Sequence, residues 1–247
     1  MTEAQGRLAG KHALVTGGTS GIGRAIVQAF AEEQARVLVV ARHAAKGDTL
    51  IEELGPAVSF RPLDVTDDDG WRALVEAYAE DPFDVLVSNA GGLLHAKPLA
   101  DLDLDGWREE LEVNLTAHFL GIRRLLPGML DRGRGSIIVI GSMSGLRGQP
   151  DATAYQVAKA GLRMLTKSAT VAYASRGVRF NTINPGFIDT TGSAGRLTPR
   201  EQWFFDRIPM ARLGSTRDIA AAAVYLASDG STYVSGVDLQ VDGGYEV

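Results

Sequence analysis

Short aliphatic runs alternate with segments of helical periodicity along the 247 residues of this chain, and that alternation leaves few folds open. Strands are predicted at 12–16, 36–40, 58–63, 84–88, 136–140, 178–183 and 237–241, seven in all. Helical patterns fall at about 22–33, 47–54, 70–79, 105–126, 154–175 and 217–227, with an irregular stretch at about 185–212. The strands are almost continuously apolar, as expected when helices cover both faces of a sheet. Strands that alternate with helices pair in parallel through right-handed crossovers. No repeat, charge block or flexible linker marks a boundary, so residues 1–247 read as one doubly wound α/β domain with a seven-stranded parallel sheet.

Composition removes several functional classes. A hydrophobic share of 45% belongs to a packed protein rather than a disordered one. The absence of cysteine excludes disulfides, thiolate nucleophiles and Cys-built zinc sites, and a reducing cytoplasm is the default compartment. Thirty acidic residues against 25 basic ones argue against a nucleic-acid partner. Residues 1–7 hold no apolar signal core, and the longest apolar run, 219–227, is too short to span a membrane. A soluble, cytoplasmic protein is expected.

The 29 glycines cluster where apolar runs end, as tight strand-to-helix turns require. The most informative group is Thr16-Gly17-Gly18-Thr19-Ser20-Gly21-Ile22-Gly23, between the first strand and the first helix. Unpaired helix N–H groups and the helix dipole favour an anion there, and glycines let a pyrophosphate approach the backbone. A purely structural tight turn is the plainer alternative; the strand–turn–helix context favours a dinucleotide. At the end of the second strand a carboxylate would bind ribose hydroxyls and repel a 2′-phosphate. Arg42 stands there instead, and its fork of donors suits the phosphate of NADP(H), although a solvated arginine would look the same.

Tyr155 and Lys159 lie four apart on a predicted helix and so share a face. A nearby ammonium stabilises phenolate and poises a tyrosine for proton transfer. Ser142 ends the fifth strand just before that helix. Together with Asn89-Ala90-Gly91 and Pro185-Gly186 it should reach the crevice at the carboxyl ends of the strands.

With these motifs in this order, the sequence resembles the short-chain dehydrogenase/reductase family in its single-domain form, from about Lys11 to Gly244, and implies a Rossmann-type sheet. The glycine motif matches at Thr16, Gly17, Gly21 and Gly23, and the fourth-strand motif appears as Ser88-Asn89-Ala90-Gly91, with serine in its first place. The resemblance puts the catalytic tetrad on Asn114, Ser142, Tyr155 and Lys159. It puts the dinucleotide against Gly17, Thr19, Ser20, Gly21, Ile22, Gly23, Arg42, Asp64, Val65, Asn89, Ala90, Gly91, Tyr155, Lys159, Pro185, Gly186, Ile188 and Thr190. The implied reaction moves a hydride between nicotinamide C4 and a carbonyl or alcohol carbon, with NADP(H) favoured over NAD(H). Tyr155 transfers the proton, Ser142 holds the substrate oxygen, and Lys159 lowers the tyrosine pKa and holds the nicotinamide ribose. Asn114 holds a water through a local irregularity in its long helix. Family members that prefer NADP often carry a basic residue where this chain has Ser20, which leaves specificity to Arg42.

The segment 187–210 fills the family's variable substrate loop, and Phe187, Trp203, Phe204 and Phe205 favour an apolar ketone or a 3-oxoacyl group over a sugar, or dock the segment onto the body. The chain's end resembles that of 3-oxoacyl-carrier-protein reductases. Arg132, Arg134, Arg176 and Arg179 could face an acidic carrier or simply be solvated. A homotetramer is implied, and the small residues Ala158, Ala160, Gly161 and 220–223 suit either close subunit contacts or internal packing. The four histidines, His12, His43, His95 and His118, show no metal-ligand spacing, so no metal is expected. His95 either borders the substrate or is a solvated loop residue. Two alternatives stand beside the NADP(H)-linked ketone reductase: an NAD(H)-linked secondary-alcohol dehydrogenase, and a non-catalytic dinucleotide-sensing regulator on the same fold.

Overall fold

A computed structural model describes residues 5–190 and 199–247. The chain runs β1 (His12–Thr16), α1 (Gly21–Glu32), β2 (Arg36–Ala41), α2 (Ala44–Leu54), β3 (Val58–Pro62), α3 (Asp68–Ala77) and β4 (Val85–Ser88). It continues with α4 (Leu104–Leu111), α5 (Ala117–Arg132), β5 (Gly135–Ile140), α6 (Thr153–Tyr173) and β6 (Val178–Pro185). The remainder is β7 (Ile188–Asp189), α7 (Pro199–Phe205), β8 (Gly214–Ser215), α8 (Thr216–Ala227) and β9 (Asp238–Val241). Seven strands form one parallel sheet in the order β3-β2-β1-β4-β5-β6-β9. The seven-stranded Rossmann sheet read from the sequence is the sheet observed.

The two sides of the sheet divide the apolar residues by parity. Ala13, Val15, Val37 and Val39 join Ile26, Val27 and Phe30 of α1 and Ala223 and Val224 of α8 in one core. Leu14, Leu38 and Val40 join Trp71 and Leu74 of α3, Met129 of α5 and Leu162 of α6 in the other. Because alternate residues of a strand face opposite ways, a strand buried on both sides must be apolar throughout. Ala220 and Ala223, read as possible subunit contacts, are buried against α1 and the sheet.

Two departures from the sequence reading bear on the site. The stretch taken as irregular contains α7 and a small parallel pair in which Ile188 lies opposite Gly214 and Asp189 opposite Ser215. Two-residue strands and a seven-residue helix carry too few residues to show a period. The predicted long helix 105–126 is interrupted by a π turn, Glu112–Thr116, where the Ala117 N–H reaches the Glu112 carbonyl. The irregularity expected at Asn114 is therefore present. Such turns are often found at functional sites.

Candidate active site

The sheet order reverses between β1 and β4, and there the carboxyl ends of the strands open a cleft of about 950 Å³. Every residue assigned above to the dinucleotide lines this one cleft, as do Ser142, Tyr155 and Lys159. Asn114 lies behind its wall, fully buried. The Gly17–Gly23 turn has the form an anion site needs. Gly21 adopts φ +53°, and a Cβ at Gly23 would stand 2.4 Å from the Gly17 carbonyl oxygen. Ser20 occupies the N-cap of α1 but makes no side-chain cap bond, which leaves the first N–H groups of the helix for a ligand. Asn89 ties this turn to β4, donating from Nδ2 to the Thr16 carbonyl at 2.9 Å, while the Thr16 hydroxyl accepts from the Asn89 and Ala90 N–H groups. These residues fit a dinucleotide.

Just past the end of β2, Arg42 is exposed and shares the cleft wall with His43 and Lys46. Lys46 was missed in the sequence, although it stands four residues beyond Arg42 on the first turn of the next helix. Asp64 binds locally: its carboxylate accepts from the Thr66 N–H at 3.0 Å and the Thr66 hydroxyl at 2.8 Å. The Thr66 N–H, seconded by that hydroxyl and the Arg42 charge, holds it below the usual carboxylate range.

At the other end, the loop after Ser142 lies directly on α6, since a Cβ at Gly145 would meet the Lys159 backbone at 2.8 Å. Arg163 fastens the same loop by donating to the Gly145 carbonyl at 3.0 Å and pairing with Asp238 at 3.1 Å. This packing brings Ser142, Tyr155 and Lys159 to one wall. Lys159 is 3% exposed and donates to the Ile140 carbonyl at 3.0 Å. Burial draws its ammonium down to about 8, with the negative charge of Glu110 working the other way. The Tyr155 hydroxyl is pushed up, first by burial and further by Glu110, while a hydrogen bond with Ser142 pulls it down. The sequence reading had Lys159 lowering this pKa; in the ligand-free chain burial prevails, and Nζ sits 5.6 Å from the ring centroid. The phenol is therefore protonated at neutral pH and can donate.

Asn114 uses its whole amide within the protein. Its Oδ1 accepts from the Gly92 N–H at 2.9 Å, and Nδ2 donates to the Gly92 carbonyl at 2.9 Å and to Glu110 at 2.8 Å. Leu94, Glu109 and Val113 also line the cleft, and none of them stood out in the sequence. His95 pairs through Nε2 with Glu109 at 2.9 Å, which puts it at the rim rather than free in solvent.

Residues 191–198 of the substrate loop lie outside the described residues. Its described aromatics pack on one another: Phe187 and Phe204 have centroids 4.1 Å apart, with Tyr245 against both, and Arg207 covers the Trp203 ring at 3.6 Å. Of the suggested arginine face, Arg134 and Arg176 are exposed, while the other two turn their heads to backbone carbonyls. Arg179 is half-buried and donates to the carbonyls of Leu226, Ser228 and Val234, Arg132 donates to that of Phe83, and Arg134 pairs with Asp84. Among the described residues no group of His, Asp and Glu could hold a metal, and no helix is long and apolar enough to cross a membrane.

A Rossmann sheet with a phosphate cradle at one end of its cleft and a Ser–Tyr–Lys wall at the other defines a nicotinamide-dependent oxidoreductase. Known proteins place it further. A family profile described as "Enoyl-(Acyl carrier protein) reductase" matches residues 17–246. The chain is 40% identical over 248 residues to the 2,5-dichloro-2,5-cyclohexadiene-1,4-diol dehydrogenase of Sphingobium indicum, covering 98% of each protein. It is 39% identical to the NADP-dependent (R)-specific alcohol dehydrogenase of Lentilactobacillus kefiri, over 97% of this chain and 98% of the other. Among solved structures, an oxidoreductase of the short-chain dehydrogenase/reductase family from Burkholderia thailandensis superposes with a TM-score of 0.88 at 34% identity, over 96% of this chain and 92% of that one. The chain belongs to the short-chain dehydrogenase/reductase family and acts on CH–OH/C=O groups with a nicotinamide cofactor.

Proposed function

We propose that the chain is an NADP(H)-dependent oxidoreductase that interconverts a ketone and a secondary alcohol, on an apolar ketone or a 3-oxoacyl substrate. One observation carries the reading: Ser142, Tyr155 and Lys159 share a cleft with a cationic end made by Arg42 and Lys46. Leu94 and Val113 in the wall of the cleft support an apolar substrate.

The cofactor, held by the Gly17–Gly23 turn, Arg42, Asp64, Val65, Asn89 to Gly91, Pro185, Gly186, Ile188 and Thr190, supplies the hydride-transfer chemistry at its nicotinamide. The chain's own residues move the proton. Ser142 holds the carbonyl oxygen beside Tyr155, and the half-buried phenol, protonated at neutral pH, donates to that oxygen as it gains charge. Lys159, held by the Ile140 carbonyl, keeps a positive charge under the phenolate that remains. In the oxidative direction the same groups run in reverse. Exposed Phe119 on α5 and Val157 and Met164 on α6 support assembly as a homotetramer, and we place the enzyme in the cytoplasm.

The test is oxidation of NADPH and NADH across a panel of apolar ketones, free and carrier-bound 3-oxoacyl thioesters and sugars, with Tyr155→Phe as control. Turnover that prefers NADPH and falls about a thousandfold in Tyr155→Phe, with cofactor affinity retained, is the expected result. Preference for NADH returns the NAD(H)-linked dehydrogenase reading. Cofactor binding with no turnover in either direction favours the sensor.

A further inference from the structure

Glu110 ends α4 as a carboxylate with no exposed surface. Three donors converge on it: the Leu94 N–H at 3.1 Å, the His95 N–H at 2.8 Å and Asn114 Nδ2 at 2.8 Å. All three are N–H groups, which suit a carboxylate, because a carboxylic acid would need an acceptor for its own proton. Burying a carboxylate is expensive unless charge or hydrogen bonds compensate it. Among the described residues no cation lies within ion-pair distance of Glu110.

Its contacts fall on one wall. Leu94 lines the cleft, and His95 leads to the rim through Glu109. Asn114 clasps Gly92 from both sides. Glu110 and Asn114 thus hold residues 92, 94 and 95 by their backbones.

We propose that Glu110 is a positioning residue of the active-site wall: through the backbone N–H groups of Leu94 and His95 and the amide of Asn114 it fixes residues 92, 94 and 95 along the cleft. The proposal rests on the reaction assigned above for its consequence in turnover, but not for the hydrogen bonds themselves.

The test compares the wild type with Glu110→Asp and Glu110→Gln. Glu110→Asp keeps the charge and withdraws the acceptor by a methylene, so KM for the carbonyl substrate rises about fivefold while kcat changes less than about twofold. Hydrogen exchange at the Leu94 and His95 amides of the cofactor-free protein, a readout that needs no substrate, quickens about tenfold while exchange in the sheet strands stays as in the wild type. Glu110→Gln turns one acceptor oxygen into a donor among N–H groups and moves both readouts in the same direction. Unchanged exchange at Leu94 and His95, or an unchanged KM in Glu110→Asp, overturns the hold on the wall, and Glu110→Asp decides both points even if Glu110→Gln does not fold. Failure to find any carbonyl substrate would sink the assigned reaction while leaving the amide exchange to judge the hold.

Discussion

Gly91 faces Asn114 so closely that a Cβ on the glycine would lie 2.6 Å from the amide oxygen Oδ1. The glycine also holds φ at +141°, where L side chains rarely sit. The same oxygen accepts the Gly92 N–H, so moving aside would break the clasp on the substrate wall. Gly91→Ala is expected to cost about 2–3 kcal/mol in urea unfolding and to lower kcat/KM at least about tenfold. Gly92→Ala is the control, because a Cβ there meets nothing within 4 Å. Its stability should change by less than about 0.5 kcal/mol. Equal losses in the two variants would show that the contact with Asn114 is not the cause.

Arg42 and Lys46 bring two positive charges to the cleft wall beyond β2. Arg42→Ala should weaken NADPH about tenfold to a hundredfold, since a charge-assisted contact to phosphate is lost, and NADH less than about threefold. Lys46→Ala should act in the same direction by a smaller factor, because a lysine meets phosphate as a point charge. Fluorescence titration of both cofactors on the three proteins measures this directly. Parallel losses for NADPH and NADH would remove Arg42 from cofactor discrimination.

How much of this could be read from the sequence depended on whether a residue's environment left a periodic trace. The inner strands β1, β2, β4, β5 and β6 are buried on both faces, so aliphatic runs such as Val37–Val40 announce themselves, and the turns at their ends carry glycine for backbone reasons. The cleft followed, because its residues sit at those ends. Glu110 left no trace. In Glu109-Glu110-Leu111-Glu112 three acids look alike, and only packing shows that Glu110 is buried while Glu109 reaches the rim. Arg179 misled for the same reason, since its half-buried head is taken by three carbonyls. The direction of the Tyr155 shift was also out of reach, because burial is a property of the whole fold rather than of the four-residue spacing to Lys159.

The serine that departs from the family's fourth-strand motif has a partner. Ser88 Oγ meets His118 Nδ1 at 2.8 Å, both residues are buried, and Nε2 has no hydrogen-bond partner. Burial first, and then the Lys159 charge, hold His118 well below the usual histidine range. A histidine whose folded pKa is depressed binds its proton in the unfolded chain first. Its neutral form therefore imposes no cost above the unfolded pKa of about 6.5, and stability falls as pH drops below that value. Each pH unit below it removes up to about 1.4 kcal/mol for this one group, until the folded ring itself titrates. His12, also depressed chiefly by burial, adds a slope of its own, so the comparison must be made one residue at a time. Ser88→Ala with His118→Leu removes both partners and leaves no buried polar atom stranded. Urea unfolding from pH 7 down to about 5 should show the double variant losing stability with one proton less of slope than the wild type. Parallel curves would mean that His118 accepts its proton in the folded protein, and that Nε2 is open to solvent beside Gly91.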